Sequence, residues 1–351
     1  TQTIETRPQI SDLHQDFSAI GNETRWMGGL DLTHRNQPLR GIYPMYSLET
    51  GEFKYLSSDV EGLVKGRVKL FVANMFGNPE GKFDEEYAYH QTYYDRLFAA
   101  RSDVFQQFRN PKELQAALQN PDKIATVLSL EGIYNWEPDL KLVDRLFDNG
   151  VRSIIPVWNP DNEIGTGHPT KETYGLTPFG KEFVKLADER GIFMDFSHAS
   201  EMTALDILSI VKKPSLISHT GSRGVNPAKT RNATDTIAIE TARQGGLIGA
   251  TAAIWTEPNP QNASVGSIVN TIEHYLNIFN KAGIPNPHRH IGIGTDFNGM
   301  APTSIMKGAE DIEVIGVNLA NEMQRRGFQA DVIEAILYKN AVNFYMDNLD
   351  N

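Results

Sequence analysis

From about residue 120 onward, short apolar runs alternate with longer amphipathic stretches, and that alternation limits the possible folds more than any other feature. Residues 124–130 (IATVLSL) predict a strand. Residues 138–149 predict a helix, with Leu140, Val143 and Phe147 at helical spacing and Gly150 where a C-cap glycine belongs. A strand follows over 153–157 (SIIPV). Thr177 then makes a good N-cap with Pro178 at the first helical position; Phe179, Phe183 and Leu186 mark one face, and Gly191 closes the helix. Strands over 192–196, 215–218, 246–251 and 290–294 alternate with helices over 201–211, 234–244 and 265–282. Two further helices, about 309–326 and 330–345, finish the chain. Toward the N-terminus, 9–13 and 67–73 (RVKLFVA) are the remaining strands.

Most of these eight strands lack the period-2 pattern of a half-exposed sheet and match fully buried parallel strands. Eight βα units favour a closed (β/α)8 barrel over an open doubly wound sheet, and 351 residues fit one such domain. Residues 17–65, rich in Gly, Pro, Asn and Thr, are expected to be an insertion that caps the site after the first strand; 303–351 are expected to supply extra C-terminal helices.

The chain has no cysteine, which excludes a disulfide framework, a thiolate metal site and a cysteine nucleophile. A net charge of −11 without any Lys/Arg run argues against nucleic acid as a partner. No apolar stretch approaches the roughly 20 residues that span a bilayer. A soluble protein is expected, cytoplasmic or periplasmic/secreted; the start at Thr1 rather than Met would fit a processed or trimmed N-terminus. Asn-x-Ser/Thr sequences at Asn22, Asn232 and Asn262 say little about secretion.

Chemistry points to the strand ends. His14 and Asp16 form His-x-Asp just past the first strand, where residues two apart point to the same side. Alone, such a pair is more often structural. Glu131 directly follows IATVLSL, and a carboxylate ending a buried strand needs a partner or a metal. His198 ends DFSH and His219 ends SLISH; Asp195 is a candidate orienting partner nearby. The coincidence carries the argument: all five sit at C-terminal strand ends, the rim where barrel active sites are built. Three imidazoles and two carboxylates suit zinc, cobalt or manganese rather than calcium. Five ligands exceed one tetrahedral zinc, unless a carboxylate bridges two ions about 3.5–4 Å apart that hold a nucleophilic hydroxide.

Asp296 ends the last strand (HIGIGTDFNG) and is either a further ligand or the base that passes a proton to the leaving amine. Its glycines lack the G-x-G-x-x-G spacing of a dinucleotide loop. Arg231, in TRNATD, is placed to clamp a substrate carboxylate or to form a surface ion pair. His34, His90, His168, His274 and His288 have no comparable placement.

These motifs resemble the membrane (renal) dipeptidase family of the amidohydrolase-like barrel superfamily, over nearly the whole chain. The resemblance runs from SDLHQDF through LSLEG, GLTPFGKEFVKLADERGIFMDFSHAS and PSLISHTGSR with its trailing RN to GIGTDFNG, and is most specific over 175–231. It implies a binuclear zinc dipeptidase acting on dipeptides, often with a C-terminal D-residue, and a tendency to form homodimers. It implies that His14, Asp16 and Glu131 hold one zinc and Glu131, His198 and His219 the other, with Asp296 as acid/base and Arg231 on the substrate carboxylate. Two departures stand out. Where the family has an oxyanion-stabilising histidine, this chain has Trp158 (SIIPVWNPDN), which donates one hydrogen bond but carries no positive charge. After the seventh strand an aromatic substrate contact is displaced to Trp255. A related barrel hydrolase acting on another amide, lactone or ester, and a silent metal- or dipeptide-binding protein, therefore stay open as alternatives.

Overall fold

The structure is a computed structural model that describes residues 7–17, 57–58, 60–171, 174–300 and 302–350. Most of the expected cap (17–65), His34 and the Asn22 sequence lie outside the described residues. Among these residues the strands are β1 (Ile10–Gln15), β2 (Val68–Phe76), β3 (Phe105–Gln107), β4 (Ile124–Glu131), β5 (Val151–Ile155), β6 (Phe193–Met194), β7 (Leu216–Thr220), β8 (Leu247–Ala250) and β9 (Ile291–Ile293). The helices are α1 (Val60–Lys65), α2 (Phe83–Ala100), α3 (Pro111–Gln119), α4 (Lys141–Asp148), α5 (Pro178–Arg190), α6 (Glu201–Ile210), α7 (Asp235–Arg243), α8 (Val265–Lys281) and α9 (Ile312–Arg325). The chain ends with α10 (Ala330–Glu334), a π-helical segment (Ala335–Lys339) and α11 (Asn340–Asn348).

Every strand pairing is parallel, in the order β1-β2-β4-β5-β6 and β7-β8-β9. Parallel bridges Asp195↔Leu216 and Gln15↔Phe297 join the two sheets at both seams, so eight strands close into the expected (β/α)8 barrel. The expectation missed β3, a short strand beside β4, together with α2 and α3. Local signals held elsewhere. Thr177 accepts a hydrogen bond from the Gly180 amide (2.9 Å), and Gly191 takes the left-handed conformation (φ 91°) at the other end of α5.

Strand alternation decides what faces the barrel axis. Leu70 and Val72 of β2 and Ala125 and Val127 of β4 join a cluster with Leu13, Phe193, Leu216 and Leu247 that the C-terminal helix closes from below through Phe344 and Tyr345. Burying one such side chain is worth about 1.5–3 kcal/mol. The alternate residues Phe71, Ala73, Leu128 and Leu130 belong to the larger core under the outer helices. Two residues further along the axial rows, the apolar floor gives way to Asn74 and Phe76 on β2 and Ser129 and Glu131 on β4, in register as Asn74↔Ser129 and Phe76↔Glu131. The polar rim is thus a continuation of the inward pattern.

Closure at the β9–β1 seam brings the two ends of the chain together. The Asp296 amide donates to His14 O (3.1 Å) and the Asp16 amide to Phe297 O (3.0 Å). Buried Asp12 locks the seam, accepting from Thr295 N (2.9 Å), Thr295 Oγ1 (2.6 Å) and Gln15 Nε2 (2.5 Å). Beyond β8, Glu257 is buried, its carboxyl group has no hydrogen-bond or ionic partner among the described residues, and burial pushes that carboxyl up to about 7. A carboxyl raised in the folded state adds stability that is full below its ordinary value and lost as pH rises toward 7. Glu257→Gln should therefore raise Tm at pH 8 relative to wild type and change it little at pH 4; an equal shift at both values would contradict a buried, unpaired acid.

Candidate metal centre

Each ligand candidate reaches the rim by its own local route. His14 and Gln15 end β1 and Glu131 ends β4; His219 lies within β7, and His198 follows β6 in a loop whose Ala199 and Ser200 lead into α6. The barrel brings all five together. Glu131 stands between two groups. Its Oε2 lies 3.3 Å from His14 Nε2, which is itself 3.5 Å from Asp16 Oδ2. Its Oε1 lies 3.1 Å from His198 Nε2 and 3.7 Å from His219 Nε2. The ligand atoms of His14, Glu131 and His219 fall within 4.8 Å of one another, as do those of His14, Asp16 and Asp296. All are buried.

The donor atoms fit a divalent cation. His14 Nε2, although close to two carboxylates, has hydrogen-bonding geometry to neither. Asn159 Oδ1 can only accept, so His198 Nδ1 (2.8 Å away) carries the proton and His198 Nε2 turns a lone pair toward His219 Nε2 at 3.0 Å. Burial, with Arg231 nearby, pushes His198 down to about 3 and keeps it neutral, as a ligand must be. Burial likewise holds His219 well below its usual range. Burial opposes a charge on His14, but Glu131 and Asp16 outweigh it and raise that imidazole well above its usual value. Burial opposes the Glu131 charge too, and His14 and His198 override it, leaving the carboxyl well below its usual range. Such mutual stabilisation is what a cation would provide in place of a proton.

Polar residues around the ligands hold this arrangement; sequence reasoning named Asp195 but missed Asn74 and His168. Asn74 Nδ2 donates to both Asp16 Oδ1 (2.7 Å) and Glu131 Oε2 (2.8 Å), while its Oδ1 accepts from Ser129 (2.9 Å). Its signal was a lone polar residue inside the apolar run LFVANMF. Asp195 acts at one remove: it accepts from Ser197 Oγ (2.6 Å) and the Ser218 amide (3.1 Å), and Ser218 Oγ meets His219 Nδ1 at 3.0 Å. His168, given no role from sequence, lies at the site. Its Nε2 donates to Asn159 Oδ1 (2.8 Å), the atom that fixes His198, and Thr230 Oγ1 is 3.2 Å from its Nδ1. His90, His274 and His288 stay outside the cluster; His274 instead pairs with Asp235 at 2.8 Å.

A cavity of about 450 Å³ opens onto the cluster, lined by Asp296, Arg231, Trp158, Trp255 and Phe76 among others. Asp296 holds a left-handed backbone (φ 62°) with Oδ1 3.9 Å from His14 Nε2. Burial first, then the Asp16 and Glu131 charges, raise its carboxyl well above the usual range. Arg231 donates from Nη2 to His219 O (3.0 Å), and its buried Nη1 has no hydrogen-bond partner among the described residues. Trp158 packs edge-on against Phe76 (5.1 Å) and leans over His198 (5.8 Å). Trp158 and Trp255 thus both face the cavity.

A closed parallel barrel with imidazoles and carboxylates gathered on its C-terminal rim defines the class of the amidohydrolase-like metal-dependent hydrolases. The sequence profile of the membrane dipeptidase family (peptidase family M19) matches residues 18–347, and the chain belongs to that family of metallopeptidases, hydrolases that act on peptide bonds. The dipeptidase tcpJ of Claviceps purpurea is 26% identical over 302 residues, covering 81% of this chain and 67% of that one. An uncharacterised dipeptidase of Schizosaccharomyces pombe is 26% identical over 230 residues, 65% of this chain but only 54% of its own length. In fold, the chain resembles a metallo peptidase from Rhodobacter sphaeroides liganded with a phosphinate mimic of L-Ala-D-Ala, with a TM-score of 0.78 at 17% identity, over 98% of this chain and all of that one (100%). Among the described residues no helix is long and apolar enough to cross a membrane.

Proposed function

We propose that this chain is a binuclear zinc dipeptidase, with substrates that include dipeptides bearing a C-terminal D-residue. The observation that carries the reading is the split geometry of Glu131: one oxygen toward His14 and Asp16, the other toward His198 and His219. In this reading His14, Asp16 and Glu131 hold one ion, and Glu131, His198 and His219 the other. Divalent ions seated there supply Lewis acidity, lowering the pKa of water and polarising a carbonyl. Arg231, which lines the cavity and keeps a buried Nη1 without a hydrogen-bond partner among the described residues, takes the substrate carboxylate and so sets which amide meets the cluster. Asp296 accepts the proton of the attacking water and delivers it to the amine nitrogen as the C–N bond breaks. Its raised affinity for protons suits that exchange. Asn74, Asn159 and Ser218 hold the ligands in their orientations.

Trp158 favours a second reading, a related barrel hydrolase acting on another amide, lactone or ester. The indole is a neutral wall of the cavity where a cationic donor to the oxyanion would help; losing one such donor costs about 10²–10³ in turnover. One experiment separates the two. Protein stripped by a chelator should lose hydrolysis of L,L and L,D dipeptides and regain it with zinc, manganese or cobalt. Metal-restored turnover of N-acyl amino acids or lactones, with none on any dipeptide, would replace the first reading by the second.

A further inference from the structure

We propose that Lys229 forms a second anion seat beside Arg231, so that the preferred substrates are dipeptides whose C-terminal residue carries a side-chain carboxylate, Xaa-Asp or Xaa-Glu. The inference rests on the dipeptidase reading and concerns the substrate class of the same site. Lys229 and Arg231 lie two residues apart on one loop and line the same cavity. Lys229 is half-buried and makes no ion pair or hydrogen bond through its ammonium among the described residues. Arg231 keeps Nη1 unbonded. The third cation of the loop, Arg223, is already engaged by Glu201 (3.5 Å) and Thr230 O (2.7 Å). His168 stands against this wall and adds no charge: burial and then Arg231, Lys229 and Arg223 push it down to about 4.

Two cations without an ion-pair partner among the described residues thus line one cavity in a chain whose net charge is −11. The α-carboxylate of a dipeptide neutralises one of them. A second carboxylate one or two methylenes away answers the other, and the ammonium on its flexible four-carbon stem can follow either length. The competing arrangement places both cations on the single α-carboxylate.

The two arrangements predict different ratios. kcat/KM is measured for the metal-loaded wild type, K229M and K229R on the near-isosteric pairs Ala-Glu/Ala-Gln and Ala-Asp/Ala-Asn. Wild type should favour the acidic member by about 10- to 100-fold, the worth of one charge-assisted hydrogen bond. K229M should collapse that ratio toward one, and K229R should keep most of it. The preference should also shrink as salt is raised. Turnover of all four dipeptides without an acidic preference overturns the inference and leaves the dipeptidase reading standing. So does a K229M defect equal for both members of each pair. Turnover of none overturns the dipeptidase reading itself, and this inference with it.

Discussion

Asp296→Asn should leave two equivalents of metal bound and slow dipeptide hydrolysis by about 10²–10⁴, the usual contribution of a positioned acid/base group. The substitution isolates chemistry from architecture. Asp296 sits at φ 62°, a left-handed conformation that asparagine also tolerates, so the backbone at the β9 end keeps its shape. The Asp296 amide bond to His14 O is untouched by the change, and the seam stays closed. Only the ability to take and return a proton is removed. Metal content by elemental analysis beside steady-state turnover decides the matter. Wild-type turnover sinks the acid/base role. Loss of one metal equivalent makes Asp296 a ligand, which its grouping with His14 and Asp16 within 4.8 Å would also accommodate.

Glu131→Gln should do the opposite: metal content falls first, and activity disappears because the site no longer assembles. Both carboxylate oxygens of Glu131 are committed, Oε2 to His14 and Asn74 and Oε1 to His198 and His219. Glutamine has one oxygen. If its amide nitrogen takes the Oε2 place, it faces the Asn74 amide donor; if it takes the Oε1 place, it removes the acceptor shared by two imidazoles. Either way a buried polar group is left unsatisfied, at about 1–3 kcal/mol, in addition to the lost charge. Isothermal titration with zinc should show at least one site lost. Two sites filled at wild-type affinity would remove Glu131 from the bridging position.

The contrast between these two carboxylates reflects how each was legible. Glu131 could be suspected from sequence because it ends an apolar strand, where an uncompensated charge is costly. The same logic marked His198, His219 and the His-x-Asp of β1. Asn74 obeys that logic too, since it interrupts the inward row Leu70, Val72, Asn74, Phe76; its neutral side chain raised no comparable alarm. His168 gave no signal at all. It lies in a loop without periodicity, and its relevance comes from meeting Asn159 Oδ1, which also holds His198, 30 residues further along the chain. Among the elements, β3 was missed because three residues beside β4 carry too short a pattern, whereas Thr177 and Gly191 announced α5 through capping chemistry that acts within a few residues.

The sequence by itself therefore determined the eight buried strands, their alternation with helices and the polar residues at their ends, because hydrophobic periodicity, caps and the cost of a buried charge are local. The tertiary structure decided which of those ends meet. The seam that joins β9 to β1 places Asp296 against His14 across 282 residues of chain. The register of β2 on β4 sets Asn74 between Asp16 and Glu131, and the loop after β7 turns Lys229 and Arg231 into one cavity. Those distances depend on barrel closure, a property of all eight strands together that no short stretch of residues contains.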